Sequence, residues 1–180
     1  MGRLGKGKMT SYTTIQTQAL GELLLVANDT QLIGVYYTDS KHAPPIEAGW
    51  RFNPNQPVLQ QAQEELTAFL QGERTSFSVP LHFAGTKFQQ KIWTQLALIP
   101  FGETISYSEL ARRAGAPSAI RAAGSANGKN PLSIIIPCHR VIGKDGALGG
   151  YAGRVNRKRQ LLEIEKRIET RTEAQRAVYS

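Results

Sequence analysis

The most constraining stretch of this chain is Ile134-Ile135-Ile136-Pro137-Cys138-His139-Arg140-Val141-Ile142. Three consecutive β-branched residues predict a buried strand, because side chains branched at Cβ pack well on a pleated surface. Pro137 has no N–H to give a sheet ladder, so the strand is expected to end or bend there. That presents Cys138, the one cysteine of the 180 residues, at a strand end beside His139 and Arg140. The thiolate is the nucleophilic form of cysteine, and cationic neighbours lower the thiol pKa. The same residues also fit a second reading, in which Cys138 is a small buried hydrophobe.

Charge separates the two halves. Residues 1–85 hold 6 Lys/Arg against 7 Asp/Glu, whereas residues 86–180 hold 16 against 7, and the whole chain is +8. The basic half is the half with the cysteine. A one-sided positive field suits a phosphate-backbone partner, and equally a solvated basic surface. One cysteine permits no intrachain disulfide and no Cys-based zinc finger, which suits a reducing compartment. No apolar run approaches the ~20 residues of a membrane span. Met1 to Met9 carries Arg3, Lys6 and Lys8 with no apolar segment behind them, so it does not read as a secretory signal.

Read in order, 22–27 and 31–37 flank Asn28-Asp29-Thr30 and predict a β-hairpin within a β region from Thr13 to Tyr37. Residues 38–56 predict a long loop. Pro57 opens a helix to Gln71 with Leu59, Ala62, Leu66, Phe69 and Leu70 on one face, and Gly72 ends it. Residues 76–83 alternate as a strand or extended linker, and 84–85 is the domain boundary. Thr86-Lys87-Phe88-Gln89 is a capping-box pattern that starts a helix stopped by Pro100, with Trp93 in its apolar stripe. Ser106-Tyr107-Ser108-Glu109 caps another, ended by Gly115. Pro117 is expected at the first position of a helix over 117–127. These two short helices resemble a helix-turn-helix. The second is built of small residues except Ile120 and Arg121, which offers few long arms for major-groove readout and fits close approach in the minor groove. A close helix–helix contact prefers the same residues. A final helix is expected over 156–169 and a loosely held polar tail over 170–180. The fold class read from this is a small α/β domain over 1–85, a sheet with a helix, then a mainly α domain over 86–169 with a winged-helix-like helix-turn-helix.

Pro137-Cys138-His139-Arg140, preceded by Gly128-Lys129-Asn130-Pro131 and followed by Gly150-Tyr151-Ala152-Gly153, resembles the O6-alkylguanine–DNA alkyltransferases, from about Phe88 to Glu165. The resemblance implies stoichiometric DNA repair: an alkyl group moves from O6-alkylguanine, and from O4-alkylthymine, to Cys138. It implies a relay Glu165–His139–water–Cys138, since side chains of adjacent residues diverge in an extended chain. It implies that Asn130 organises the loop behind the nucleophile. It gives Tyr107 a role at the target phosphate and guanine ring, and Arg121 the space left by a flipped base. Ala122, Gly124, Asn127 and Arg140 complete the expected DNA-binding set. Tyr151, Ala152, Val141, Gly149 and Arg154 are the expected substrate pocket. No cofactor and no structural zinc are expected. The expected partner is double-stranded DNA containing O6-alkylguanine, bound by a monomer with cooperativity left open, in the cytoplasm of a prokaryote or the nucleus of a eukaryote, and no membrane.

The chain departs from the family at two positions. Ala152 leaves only a backbone N–H to polarise O6. Arg154 stands where a glycine is expected and puts a bulky cation at the pocket rim. Three rivals remain: an alkyltransferase-like lesion binder, which lacks the cysteine; a helix-turn-helix regulator, which needs longer side chains on its recognition helix; and a cysteine hydrolase, which needs an acyl-binding site.

Overall fold

The computed structural model describes residues 8–149, 151 and 154–180. The N-terminal part is a four-stranded sheet of order β3-β2-β1-β4: β1 (Ser11–Thr17), β2 (Gly21–Ala27), β3 (Leu32–Tyr37) and the two-residue β4 (Arg51–Phe52). The hairpin predicted around Asn28 is present, and its turn is made by the Asn28 side chain, which accepts from Thr30 N and Gln31 N at 2.9 and 2.8 Å. Such side-chain-to-backbone turns are why Asn marks reversals. Helix α1 (Pro57–Leu70) packs Leu59, Ala62, Leu66 and Phe69 against the sheet, all fully buried. Fully burying a leucine or phenylalanine side chain contributes about 1.5–3 kcal/mol.

Glu65 is also buried on α1. It accepts from the Ser78 hydroxyl at 2.6 Å and from Val79 N at 3.0 Å, and pairs with Arg74 at 2.7 Å. Those bonds pin the 74–79 segment, which continues as the extended linker predicted there. Leu32 N donates to Pro80 O and His82 N donates to Leu32 O, so the linker lies along the free edge of β3. Further along that edge, Val35 N donates to Pro131 O at 2.9 Å and Ser133 N donates to Val35 O at 3.1 Å. One edge strand thus holds both the linker and the loop that leads to Cys138.

The C-terminal part contains α2 (Lys87–Ala97), α3 (Tyr107–Arg113), α4 (Ile120–Gly128) and α5 (Val155–Tyr179), with a parallel pair β5 (Ile105–Ser106) and β6 (Val141–Ile142). The Thr86/Gln89 capping box is fully formed. At α3 only half of it forms: Ser106 Oγ accepts from Glu109 N, while the Glu109 carboxylate turns to Arg112 and Arg113. Trp93 is core, its indole N–H donating to Ala126 O at 2.8 Å.

Three expectations are corrected. Ile134–Ile136 is not a strand but a turn, with Ile134 at φ +74°, a region β-branched residues avoid. The physical cause is Asn130: its side chain donates to Ile136 O at 2.7 Å and accepts from Leu132 N at 3.0 Å, folding the run back on itself. The helix expected from Pro117 begins at Ile120 instead, because 116–119 is tied into the turn by Ala116 N to Ala111 O and Ala119 N to Ala116 O. The segment 170–180 is not loose: α5 runs through it to Tyr179, exposed on all sides.

Candidate functional site

Cys138, His139 and Arg140 form a single 3₁₀ turn directly after the folded-back loop, and all three are buried. Cys138 N donates to Ile136 O at 2.8 Å, and Asn127 Nδ2 donates to Cys138 O at 3.3 Å. The nucleophile is therefore held by the backbone on one side and by α4 on the other.

Glu165 reaches the turn from α5. Its carboxylate meets His139 Nε2 at 2.8 Å and Arg140 Nη2 at 2.7 Å, with Arg140 Nε also donating to it. Burial works against the Glu165 charge, but the bonds from His139 and Arg140 outweigh it and hold its pKa below the ordinary carboxylate value. With the carboxylate accepting from Nε2–H, the neutral imidazole keeps its lone pair on Nδ1. That atom is buried and has no hydrogen-bond partner among the described residues. Burial pushes the His139 pKa below its ordinary 6.5, so the ring is neutral at neutral pH and Nδ1 is a free base. Burial also pushes the Cys138 thiol up to about 11, against an Asn130 hydrogen bond and the charge of Lys158, which pull it down. The resting group is a thiol beside a base, not a standing thiolate.

Tyr107 is the first residue of α3. Its ring is packed by Gly124 and Gly149, and a Cβ added to Gly149 would lie 2.5 Å from the Tyr107 hydroxyl, so only glycine allows this approach. Lys158 Nζ donates to that hydroxyl at 3.3 Å. Sequence reasoning missed Lys158. It is fully buried, on the same α5 face as Leu161, Ile164 and Glu165. The i, i+3, i+7 spacing from Lys158 through Leu161 to Glu165 was the available signal.

The expected DNA-binding set divides. Arg121 and Ala122 are exposed on α4, and Gly124 is half-buried beside Tyr107. Asn127 and Arg140 do not join them. Asn127 faces inward onto the Cys138 carbonyl. Arg140 spends its guanidinium on Glu165 and on Ile99 O at 2.7 Å. Of the expected pocket, Val141 is fully buried in β6 against Ile105, and Tyr151 bonds to Tyr37. Ala152, like Gly150 and Gly153, lies outside the described residues. Arg154 precedes α5 at φ +74°, ψ 153°, and its guanidinium lies 3.6 Å from Asp39. A recess of about 650 Å3 opens beside Tyr151, between Asp39–His42 and the Gly124–Lys129 face of α4. Among the described residues no group of three or more His, Cys, Asp or Glu is placed to hold a metal ion, and no helix is long and apolar enough to cross a membrane.

Two family models match the chain. The 6-O-methylguanine DNA methyltransferase, ribonuclease-like domain covers 10–83, and the 6-O-methylguanine DNA methyltransferase, DNA binding domain covers 87–167. A methylated-DNA–protein-cysteine methyltransferase of Mycobacterium tuberculosis is 44% identical over 88% of this chain and 93% of its own length. The constitutive methylated-DNA–protein-cysteine methyltransferase of Bacillus subtilis is 41% identical over 88% of this chain and 96% of its own. Among solved structures, Mycobacterium tuberculosis OGT in complex with DNA superposes with a TM-score of 0.81 at 44% identity, covering 88% of this chain and 94% of that one. The lesion-binder reading is not favoured. The chain belongs to the 6-O-methylguanine DNA methyltransferase family, with a DNA-binding C-terminal domain, and is an alkyltransferase of DNA repair.

Proposed function

We propose that Cys138 is the alkyl acceptor, that the substrate is O6-alkylguanine, and O4-alkylthymine with it, in double-stranded DNA, and that the chain works once, as a monomer. The observation that carries this is the sealed Glu165–His139 pair, 2.8 Å apart, with Nδ1 left free next to the buried thiol turn. Cys138 and His139 are neighbours on one tight turn, so their side chains diverge and a bridging water carries the proton from Sγ to Nδ1. Glu165 holds the tautomer and stabilises the imidazolium that forms. The sulfur attacks the alkyl carbon, the C–O6 bond breaks, and its electron pair leaves on the guanine. Sulfur ends as a thioether, which water does not cleave.

A base inside a duplex must leave the stack to reach a buried thiol, at a cost of a few kcal/mol that is smallest for a weakened pair. The small-residue face of α4 is the surface that approaches DNA, with Arg121 as its one long probe. Tyr107 meets the target nucleotide, its hydroxyl polarised by Lys158. Asn130 acts through the loop it folds. The expected localisation is wherever the cell keeps DNA in a reducing compartment. The test is stoichiometry. Duplex DNA with O6-methylguanine in tenfold excess should lose one methyl per protein chain and then stop. Continued turnover would overturn the single-use acceptor.

A further inference from the structure

Tyr37 is the last residue of β3, in the N-terminal domain, and is fully buried. Its hydroxyl and that of Tyr151 are hydrogen-bonded at 2.8 Å, and the two rings meet edge to face with centroids 5.8 Å apart. The Arg157 guanidinium stacks 4.7 Å from the centre of the Tyr37 ring. Both of its terminal nitrogens are held by Asp39, two residues beyond Tyr37, at 2.6 and 3.0 Å. A stacked guanidinium fixed by a bidentate carboxylate leaves the Tyr37 ring little freedom. The backbone of the same strand is already tied to the loop before Cys138 through Val35. β3 is thus anchored on the nucleophile's loop and carries, two residues later, the hydroxyl that Tyr151 meets.

The hydroxyl itself is the informative atom. Phenylalanine would fill the same buried space without desolvating a polar group, and an unpaired buried hydroxyl is costly. The described residues give the Tyr37 hydroxyl one partner, Tyr151. Burial raises the pKa of both phenols, so each stays protonated and each can donate or accept. The pair is a neutral, fixed contact at the edge of the recess that Tyr151 lines.

We propose that Tyr37 is a positioning residue for alkyl transfer: its hydroxyl fixes the Tyr151 ring at the edge of the recess, so the N-terminal domain helps set which O6-substituents are accepted. This rests on the reading of Cys138 as alkyl acceptor and of Tyr151 as a pocket wall. A fixed ring favours a small methyl group, whose carbon must be held in line with sulfur. A large substituent needs the ring to yield, so freeing Tyr151 hinders methyl transfer and eases benzyl transfer.

The experiment compares single-turnover rates for O6-methylguanine and O6-benzylguanine in the same duplex, in the full-length wild type, Tyr37→Phe, Tyr151→Phe and the double variant. Peptide mass at Cys138 is the readout. Wild-type alkylation at Cys138 verifies the underlying reading independently of Tyr37. With one net hydrogen bond removed, Tyr37→Phe should slow methyl transfer about 3- to 10-fold. The methyl-to-benzyl rate ratio should fall with it, while DNA affinity stays near wild type and the thermal midpoint drops by only about 2–4 °C. Adding Tyr37→Phe to Tyr151→Phe should then have no further effect. Equal slowing on both substrates, or multiplicative losses in the double variant, would overturn the proposal. So would an unchanged methyl rate in Tyr37→Phe.

Discussion

The Glu165 carboxylate lies 2.8 Å from His139 Nε2, and both side chains are sealed from solvent. The pair dictates a pH profile. His139 must be neutral to accept the thiol proton, and its pKa is below 6.5. Alkyl transfer should therefore hold level from about pH 7 to 9 and fall only on the acid side of the ordinary histidine range. A thiol pushed up to about 11 makes the alternative distinct. If the thiolate had to form first, free in solution, the rate would climb tenfold per pH unit through that window. Single-turnover rates across pH 5 to 9.5 separate the two.

The same pair contributes to stability with a definite sign. The folded-state pKa values of Glu165 and His139 are both lowered, so the unfolded chain binds more protons at low pH. Their contribution is present at neutral pH and is lost as pH falls, first through His139 below 6.5 and then through Glu165. Glu165→Gln removes the charge opposite Arg140, whose side chain is 8% exposed. Breaking one side of a buried ion pair costs about 3–5 kcal/mol, measurable by urea denaturation at pH 7. The acid-side slope of stability should also flatten in this variant. A loss below about 1 kcal/mol would mean that Arg140 finds water.

Arg121 is exposed on α4. If it fills the space of the flipped base, Arg121→Ala should slow repair in duplex DNA about tenfold, in keeping with the unstacking cost it offsets. Reaction with free O6-benzylguanine should change little. Affinity for DNA of any sequence should also fall steeply with salt, as phosphate contacts require. Equal losses on both substrates would place Arg121 in the chemistry itself.

Arg154 sits at φ +74°, ψ 153°, a conformation that belongs almost entirely to glycine. Arg154→Gly should raise stability by about 1 kcal/mol, the strain relieved exceeding the entropy that glycine adds to the unfolded chain. It should also raise the inactivation rate by free O6-benzylguanine, by removing a long cation from the recess rim. Matching rates in the two proteins would show that Arg154 does not restrict bulky substrates.

Much of the fold was legible where local chemistry decides it. The Asn28 turn, the Thr86 helix start and the Ser106 cap come from short-range hydrogen bonds that residue type specifies, and the Pro57 helix start from the fixed φ of its ring. Ile134–Ile136 was misread because β-propensity measures fit to a pleated surface, and here Asn130 and the β3 edge supply a different partner. The α5 extension was misread because polarity was taken for disorder, although 170–179 is rich in helix formers. Cys138, His139 and Glu165 were legible only together with a resemblance; Glu165 alone looks like a solvated helix position. Lys158, Tyr37 and the inward turn of Asn127 and Arg140 depend on which elements pack together, which no local pattern encodes.

One sulfur takes the alkyl group. Intact mass of the protein after incubation with one equivalent of O6-methylguanine duplex, followed by peptide mapping, tests it most directly. The protein should gain one methyl, located on Cys138, and Cys138→Ala should gain none although that variant still binds the DNA. A methyl group on any other residue, or an unmodified protein beside repaired DNA, would contradict it.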